Sequence, residues 1–198
     1  MKRIVGLTGG YCSGKNEAAV TFAEEGFTLI DVDLLGHKAL GTCSEKLASA
    51  FGQGILFPDG SVNRRALGEI VFSSAEKLQL HESIVHPVML GFLDEAIETG
   101  RDVCIHAALL YRFPQTRLCD FIVEMRAPLW VRIRRGMARD KLGVADILRR
   151  ISKQRYLWKL RPKEKPPVVF VDNSGNLAAL EASVRSALAA HGFLGSKG

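Results

Sequence analysis

Short apolar runs alternate with stretches of helical periodicity along most of this chain. The runs Ile4-Val5-Gly6-Leu7, Phe27-Thr28-Leu29-Ile30 and Val168-Val169-Phe170-Val171 are rich in β-branched or aromatic residues and bounded by turn residues, the pattern of buried strands. Arg101-Asp102-Val103-Cys104-Ile105-His106 and Cys119-Asp120-Phe121-Ile122-Val123-Glu124 read as further strands. Helical patterns fill the gaps: one opens at Glu17-Ala18-Ala19-Val20 and stops at Gly26, another opens near Leu34-Leu35, and a last one from Leu177 to Ala190 covers the sheet. Strands alternating with helices predict an α/β fold, a parallel five-stranded sheet with helices on both faces and right-handed crossovers.

Two segments depart from that alternation. Strand signals vanish between Gly36 and about Gly91, where helices are broken by the turn Phe57-Pro58-Asp59-Gly60-Ser61. Asn63 is placed to cap a helix carrying Arg64 and Arg65, Ser73-Ser74-Ala75-Glu76 has the form of a capping box, and Pro87 suits the first turn of a further helix. From Trp130 to Lys165 the chain is dense in arginine. Arg132, Arg135 and Arg139 follow an i, i+3, i+7 spacing that puts them on one helix face. A second helix is expected from about Val144 to Leu160, with Ile147, Leu148 and Ile151 inward, and Lys163-Glu164-Lys165-Pro166-Pro167 ends the segment.

The first strand leads into Gly9-Gly10-Tyr11-Cys12-Ser13-Gly14-Lys15, and a helix follows. A loop of this spacing turns backbone N–H groups inward at a helix N-terminus, and its lysine reaches the outer phosphates of a nucleotide. The position after the lysine, where a Ser or Thr hydroxyl would meet Mg²⁺, holds Asn16. Cys12, beside the helix N-terminus, is expected to favour the thiolate. The second strand ends in Asp31-Val32-Asp33. Alternation along the extended chain sends both carboxylates to one side at the strand's carboxyl end, Asp31 being suited to capping the next helix and Asp33 to phosphoryl-transfer chemistry.

Composition narrows the picture further. At 198 residues and 47% hydrophobic content, one sizeable core with insertions is expected. A net charge of +6 fits anionic metabolites, since no aromatic-basic surface for nucleic acid is visible. The four cysteines, Cys12, Cys43, Cys104 and Cys119, lack paired spacing and read as free thiols. No run approaches membrane-spanning length, and a soluble, cytoplasmic protein is expected.

Thr8-Gly9-Gly10 through Lys15, followed by Asp31-Val32-Asp33, resembles the dephospho-coenzyme A kinase family. Further matching pieces run in family order along nearly the whole chain: Arg64-Arg65-Ala66-Leu67, His86-Pro87, Arg139-Asp140, Arg150-Ile151 with Gln154, and Asp172-Asn173. The resemblance implies a P-loop fold of the nucleoside monophosphate kinase type. Its nucleotide-binding core would comprise residues 1–36, 92–130 and 166–198, its helical acceptor domain 37–91, and its arginine-rich lid 131–165. The implied activity is ATP-dependent phosphorylation of the ribose 3′-hydroxyl of dephospho-CoA, the last step of CoA synthesis, with ATP and Mg²⁺ as cofactors, dephospho-CoA as the small-molecule partner, and neither nucleic acid nor membrane.

By the same resemblance, Lys15, Asp33 and Arg139 are catalytic, and ATP contacts Gly10, Tyr11, Cys12, Ser13, Gly14, Lys15, Asn16 and Glu17, with Asn173 near the adenine. Dephospho-CoA is assigned to Thr8, Asp33, Arg65 and His86, and the metal to Asn16 and Asp33. Two departures stand out. Asn16 replaces the usual hydroxyl, and Ala107-Ala108-Leu109-Leu110-Tyr111-Arg112 lacks the proline and the acid that the family carries after its third strand. Another small-molecule or nucleotide kinase of the same fold, and a non-catalytic nucleotide-binding module with a decayed loop, are the alternatives.

Overall fold

The computed structural model describes residues 2–193. In chain order the elements are β1 (Ile4–Gly9), α1 (Lys15–Glu24), β2 (Thr28–Asp31), α2 (Val32–Thr42), α3 (Ser44–Phe51), α4 (Arg64–Val71) and α5 (Ala75–Thr99). They continue with β3 (Val103–His106), β4 (Phe121–Arg126), α6 (Leu129–Asp140), α7 (Val144–Lys153), β5 (Val168–Asp172) and α8 (Leu177–Ala190). The strands form one sheet in the order β2-β3-β1-β4-β5, parallel where β1 meets β3 and β4 and where β4 meets β5. This is the five-stranded α/β sheet that the apolar runs predict.

Residues up to Ile30 and from Gly100 onward make one compact unit, and Asp31–Thr99 make a second. In the first unit the core lies between the sheet and two helices. Val5 and Leu7 of β1, Phe121, Val123 and Met125 of β4, Ala18 and Phe22 of α1, and Val184 and Leu188 of α8 are buried together. Phe22 meets Phe27 edge-on at 5.6 Å, and removing a ring so enclosed costs about 3–5 kcal/mol. At β1, Leu110 of the β3–β4 connection packs over the strand so closely that a Cβ on Gly6 would lie 2.7 Å from it. All four cysteines are free thiols.

The second unit is helical. Asn63 caps α4 by accepting from the Ala66 N–H at 3.2 Å. The cap before α5 is Ser74, whose Oγ accepts from the Lys77 N–H at 3.2 Å, while Ser73 instead donates to the Ile70 carbonyl. Pro87 does not open a new helix: it sits inside the single 25-residue α5. Val85, Met89, Leu93 and Ile97, each four residues apart, form a buried stripe that runs through the proline. Packing of that stripe outweighs the missing N–H.

Two further expectations change. The expected helix over 144–160 ends at Lys153 and continues as a 3-10 segment, Arg155–Leu160; Ile147 is buried, whereas Leu148 is 40% exposed. Val32 is already helical, so Asp31 and Asp33 do not alternate along a strand. Asp31 accepts from the backbone N–H groups of Asp33 and Leu34 and is the cap of α2. That capping bond turns the chain.

Candidate active site

The loop after β1 closes on itself where Ser13 N–H donates to the Gly10 carbonyl at 3.0 Å. Cys12 and Gly14 both have positive φ, 57° and 96°, so successive N–H groups turn to one side in the manner of an anion nest. Gly14 has a second reason to be glycine, since a Cβ there would lie 1.8 Å from the Asn173 amide. That amide donates to the Ser13 carbonyl at 3.1 Å, and Asn173 Oδ1 accepts from Arg135 at 3.2 Å. The residue after β5 and the middle of α6 thus grip the loop from outside.

Tyr11 is held on every side. Its N–H donates to Gln154 Oε1 at 2.7 Å, its carbonyl accepts from Arg132 Nε at 2.7 Å, and its hydroxyl donates to the Asp140 carboxylate. The guanidinium groups of Arg139 and Arg150 lie 5.2 and 5.6 Å from its ring. Arg139 also pairs with Asp140 at 2.8 Å. The Arg139 hydrogen bond, followed by that of Tyr11, holds the Asp140 carboxyl below the usual range, and Asp140 raises Arg139 in return. Burial pushes the Cys12 thiol up, more than Arg139 lowers it. The expected thiolate is therefore overturned: the dipole at the helix start is outweighed by loss of solvent.

Lys15 opens α1 and its Nζ lies 2.9 Å from Nε2 of His106. Asn16 and Glu17 are exposed in the same first turn. Thr8 is buried on β1 and donates to the Ala108 carbonyl at 3.4 Å. The hydroxyl of Ser13 and one guanidinium nitrogen of Arg135 are buried without a hydrogen-bond partner in the protein, so an oxygen-rich ligand in the loop would satisfy polar atoms that the fold leaves open. A cavity of about 290 Å³ lies alongside, lined by Gly10, Ser13, Arg126, Arg132, Trp158 and Arg161 among others.

The sites expected in the helical unit are less constrained. Asp33 is exposed in the first turn of α2. Arg65 has a side chain 90% exposed and pairs with Glu69 one turn on, at 3.2 Å. His86 is half-buried on α5. Burial and then the nearby His86 push the His81 imidazole down.

The family model for dephospho-CoA kinase matches residues 3–179. The chain belongs to the dephospho-CoA kinase family. It is 36% identical to the dephospho-CoA kinase of Bacillus licheniformis, over 95% of this chain and 96% of that protein. Among solved structures it is similar to one from Thermus thermophilus, with TM-score 0.79 and 30% identity over 96% of this chain and 97% of that one. The dephospho-CoA kinase of Campylobacter jejuni, at 22% identity and TM-score 0.70 over 96% of both chains, shares the fold.

The β3–β4 connection is tied into the sheet by a buried network. Tyr111 donates to Glu124 Oε2 at 2.8 Å, and Arg161 grips both oxygens of the same carboxylate at 2.7 Å. Glu124 is 3% exposed on β4, yet its charge is matched and hydrogen-bonded, the condition under which a buried carboxylate is tolerated. Burial, then Glu124, pushes the Tyr111 phenol up, and Glu124 raises Arg161. Sequence reading missed this network, and it missed His106 as the partner of Lys15. A histidine closing the strand beside β1 was the available signal.

Among the described residues no helix is long and apolar enough to cross a membrane, and no group of three or more His, Cys, Asp or Glu is arranged to hold a metal.

Proposed function

We propose that this chain transfers the γ-phosphoryl group of ATP to the ribose 3′-hydroxyl of dephospho-CoA, giving CoA and ADP. The supporting observation is a gripped, left-handed phosphate loop with buried unpartnered donors, in a chain of the dephospho-CoA kinase family. Gly10 through Glu17 receive the phosphates, and Asn173, which already braces Ser13, lies toward the base. Lys15 and Arg139 offset the charge that spreads over the transferring group. Arg139 reaches that position by exchanging its hold on Asp140 and Tyr11 for phosphate oxygens, and residues 131–165 act as a lid that excludes water.

Asp33 orients the acceptor hydroxyl and takes its proton. Residues 37–91 receive dephospho-CoA, with Arg65 as an anion contact and His86 beside it, and Thr8 borders the acceptor. Asn16 and Asp33 offer the oxygen donors that Mg²⁺ prefers, and the ion when bound shields the phosphate charges. With an amide at position 16 in place of the usual hydroxyl, the protein's own grip on the ion is weak. The soluble, cytoplasmic setting belongs to the same reading.

The deciding assay is incubation with ATP, Mg²⁺ and dephospho-CoA, with CoA detected by mass. CoA formation is expected, and Asn16→Thr is expected to lower the Mg²⁺ concentration needed for half-maximal rate without changing the acceptor. If neither protein forms CoA at any Mg²⁺ concentration, a non-catalytic nucleotide-binding module becomes the better reading.

A further inference from the structure

One partner of the loop lysine is an imidazole. An ammonium donates hydrogen bonds and accepts none, so the nitrogen 2.9 Å from Lys15 Nζ, His106 Nε2, presents a lone pair. The ring proton then sits on Nδ1 and the ring is neutral. His106 is 6% exposed. Its backbone is fixed as the last residue of β3, in register with Leu7 of β1, and the next N–H, that of Ala107, donates to the Leu7 carbonyl at 3.0 Å. Lys15, by contrast, carries its charge on a flexible four-carbon stem whose ammonium rotates freely in water. A strand end therefore holds a lone pair against the cation of the loop.

We infer that His106 is a positioning residue for phosphoryl transfer, its Nε2 lone pair fixing where the Lys15 ammonium stands and how its hydrogens are directed at the mouth of the loop. Engaging one of the three tetrahedral donors sets the directions of the other two, so the cation is oriented before the phosphates arrive. Orientation of this kind counts most as charge moves in the transition state. The inference rests on the kinase reading above, and it adds to it a residue on β3, a different element from α6 and the turn after β5 that hold the loop at Tyr11 and Ser13.

The test compares His106→Leu, which fills the space without an acceptor, with His106→Gln, whose amide oxygen stands near the place of Nε2. His106→Leu is expected to lower kcat for CoA formation about tenfold to a hundredfold, with the ATP KM changed by less than about threefold, and His106→Gln is expected to recover most of the loss. A merely structural histidine would show as a lower Tm with both variants equally impaired, and that result overturns the inference, as does a His106→Leu enzyme with parental kcat. Should His106→Leu fail to fold, nitrogen-15 NMR of the parent imidazole decides: a lone-pair Nε2 with the proton on Nδ1 supports the inference, and a protonated Nε2 removes it. A parent protein that makes no CoA sinks the kinase reading and this inference together; an active parent with an indifferent His106→Leu sinks the inference alone.

Discussion

The phosphate loop and the helical unit of residues 31–99 solve the problem of presenting charge in opposite ways. In the loop, Tyr11 alone is met by Gln154, Arg132 and Asp140 and stacked by two arginines, and Asn173 braces the next turn. In the helical unit, Arg65 pairs with its own helix neighbour Glu69 at 3.2 Å and is 90% exposed, and Asp33 is exposed. The first arrangement has its side-chain entropy removed by folding; the second would lose it on binding a ligand, as the proposed function requires. Substitutions in the loop should therefore register in stability and nucleotide affinity together. In the helical unit they should register in turnover or acceptor affinity while stability stays constant.

The largest expected effect tests whether the loosely held unit supplies chemistry. Asp33→Asn should leave ATP binding and Tm near parental and lower turnover by about two to four decades, the range of a general base. Steady-state kinetics with ATP titration by calorimetry checks this, and turnover within a few-fold of the parent would remove Asp33 from the mechanism.

Gly14→Ala probes the other side. A methyl group at φ 96° and 1.8 Å from the Asn173 amide forces the brace to move, and about 1–3 kcal/mol of stability should be lost along with ATP affinity. Thermal unfolding with and without ATP measures both. A variant that keeps the parental Tm and ATP affinity would mean that the bracing is incidental.

The smallest effect is expected from Arg65→Ala. The pair it breaks is a surface i, i+4 contact worth about 0.3–0.5 kcal/mol, so Tm should stay within a degree or two. The dephospho-CoA KM should rise about fivefold to tenfold, as for loss of roughly 1–1.4 kcal/mol of binding, at unchanged ATP KM. An unchanged acceptor KM returns Arg65 to the status of a solvated arginine.

How much of this was legible beforehand follows the range of the interactions. Strands of brief apolar pattern, the glycine loop, and the caps at Asp31 and Asn63 are written in neighbouring residues and stand in the structure as read. Pro87 misled because its local signal is strong, while the stripe Val85, Met89, Leu93, Ile97 that overrides it is only meaningful once packed. Leu148 misled for the reverse reason: helical spacing placed it inward, but its helix is too short and too peripheral to cover that side. The reading of Cys12 weighed the helix dipole without its burial. The bonds of Glu124 with Tyr111 and Arg161 span 13 and 37 residues, and nothing local announces them.

That last network has a consequence for how this lineage can change. Removing Glu124 alone would strand the Arg161 guanidinium beside Arg126, both of which stack on Phe170; removing Arg161 alone would leave the buried carboxylate with the Tyr111 phenol and the longer Arg126 pair, at 3.4 Å, for support. Each single step is uphill, and the residues are interlocked as a ratchet. The Ala107–Arg112 connection is thus tied to its surroundings through Tyr111. Exchange at any one of positions 111, 124 and 161 would have to carry the other two along.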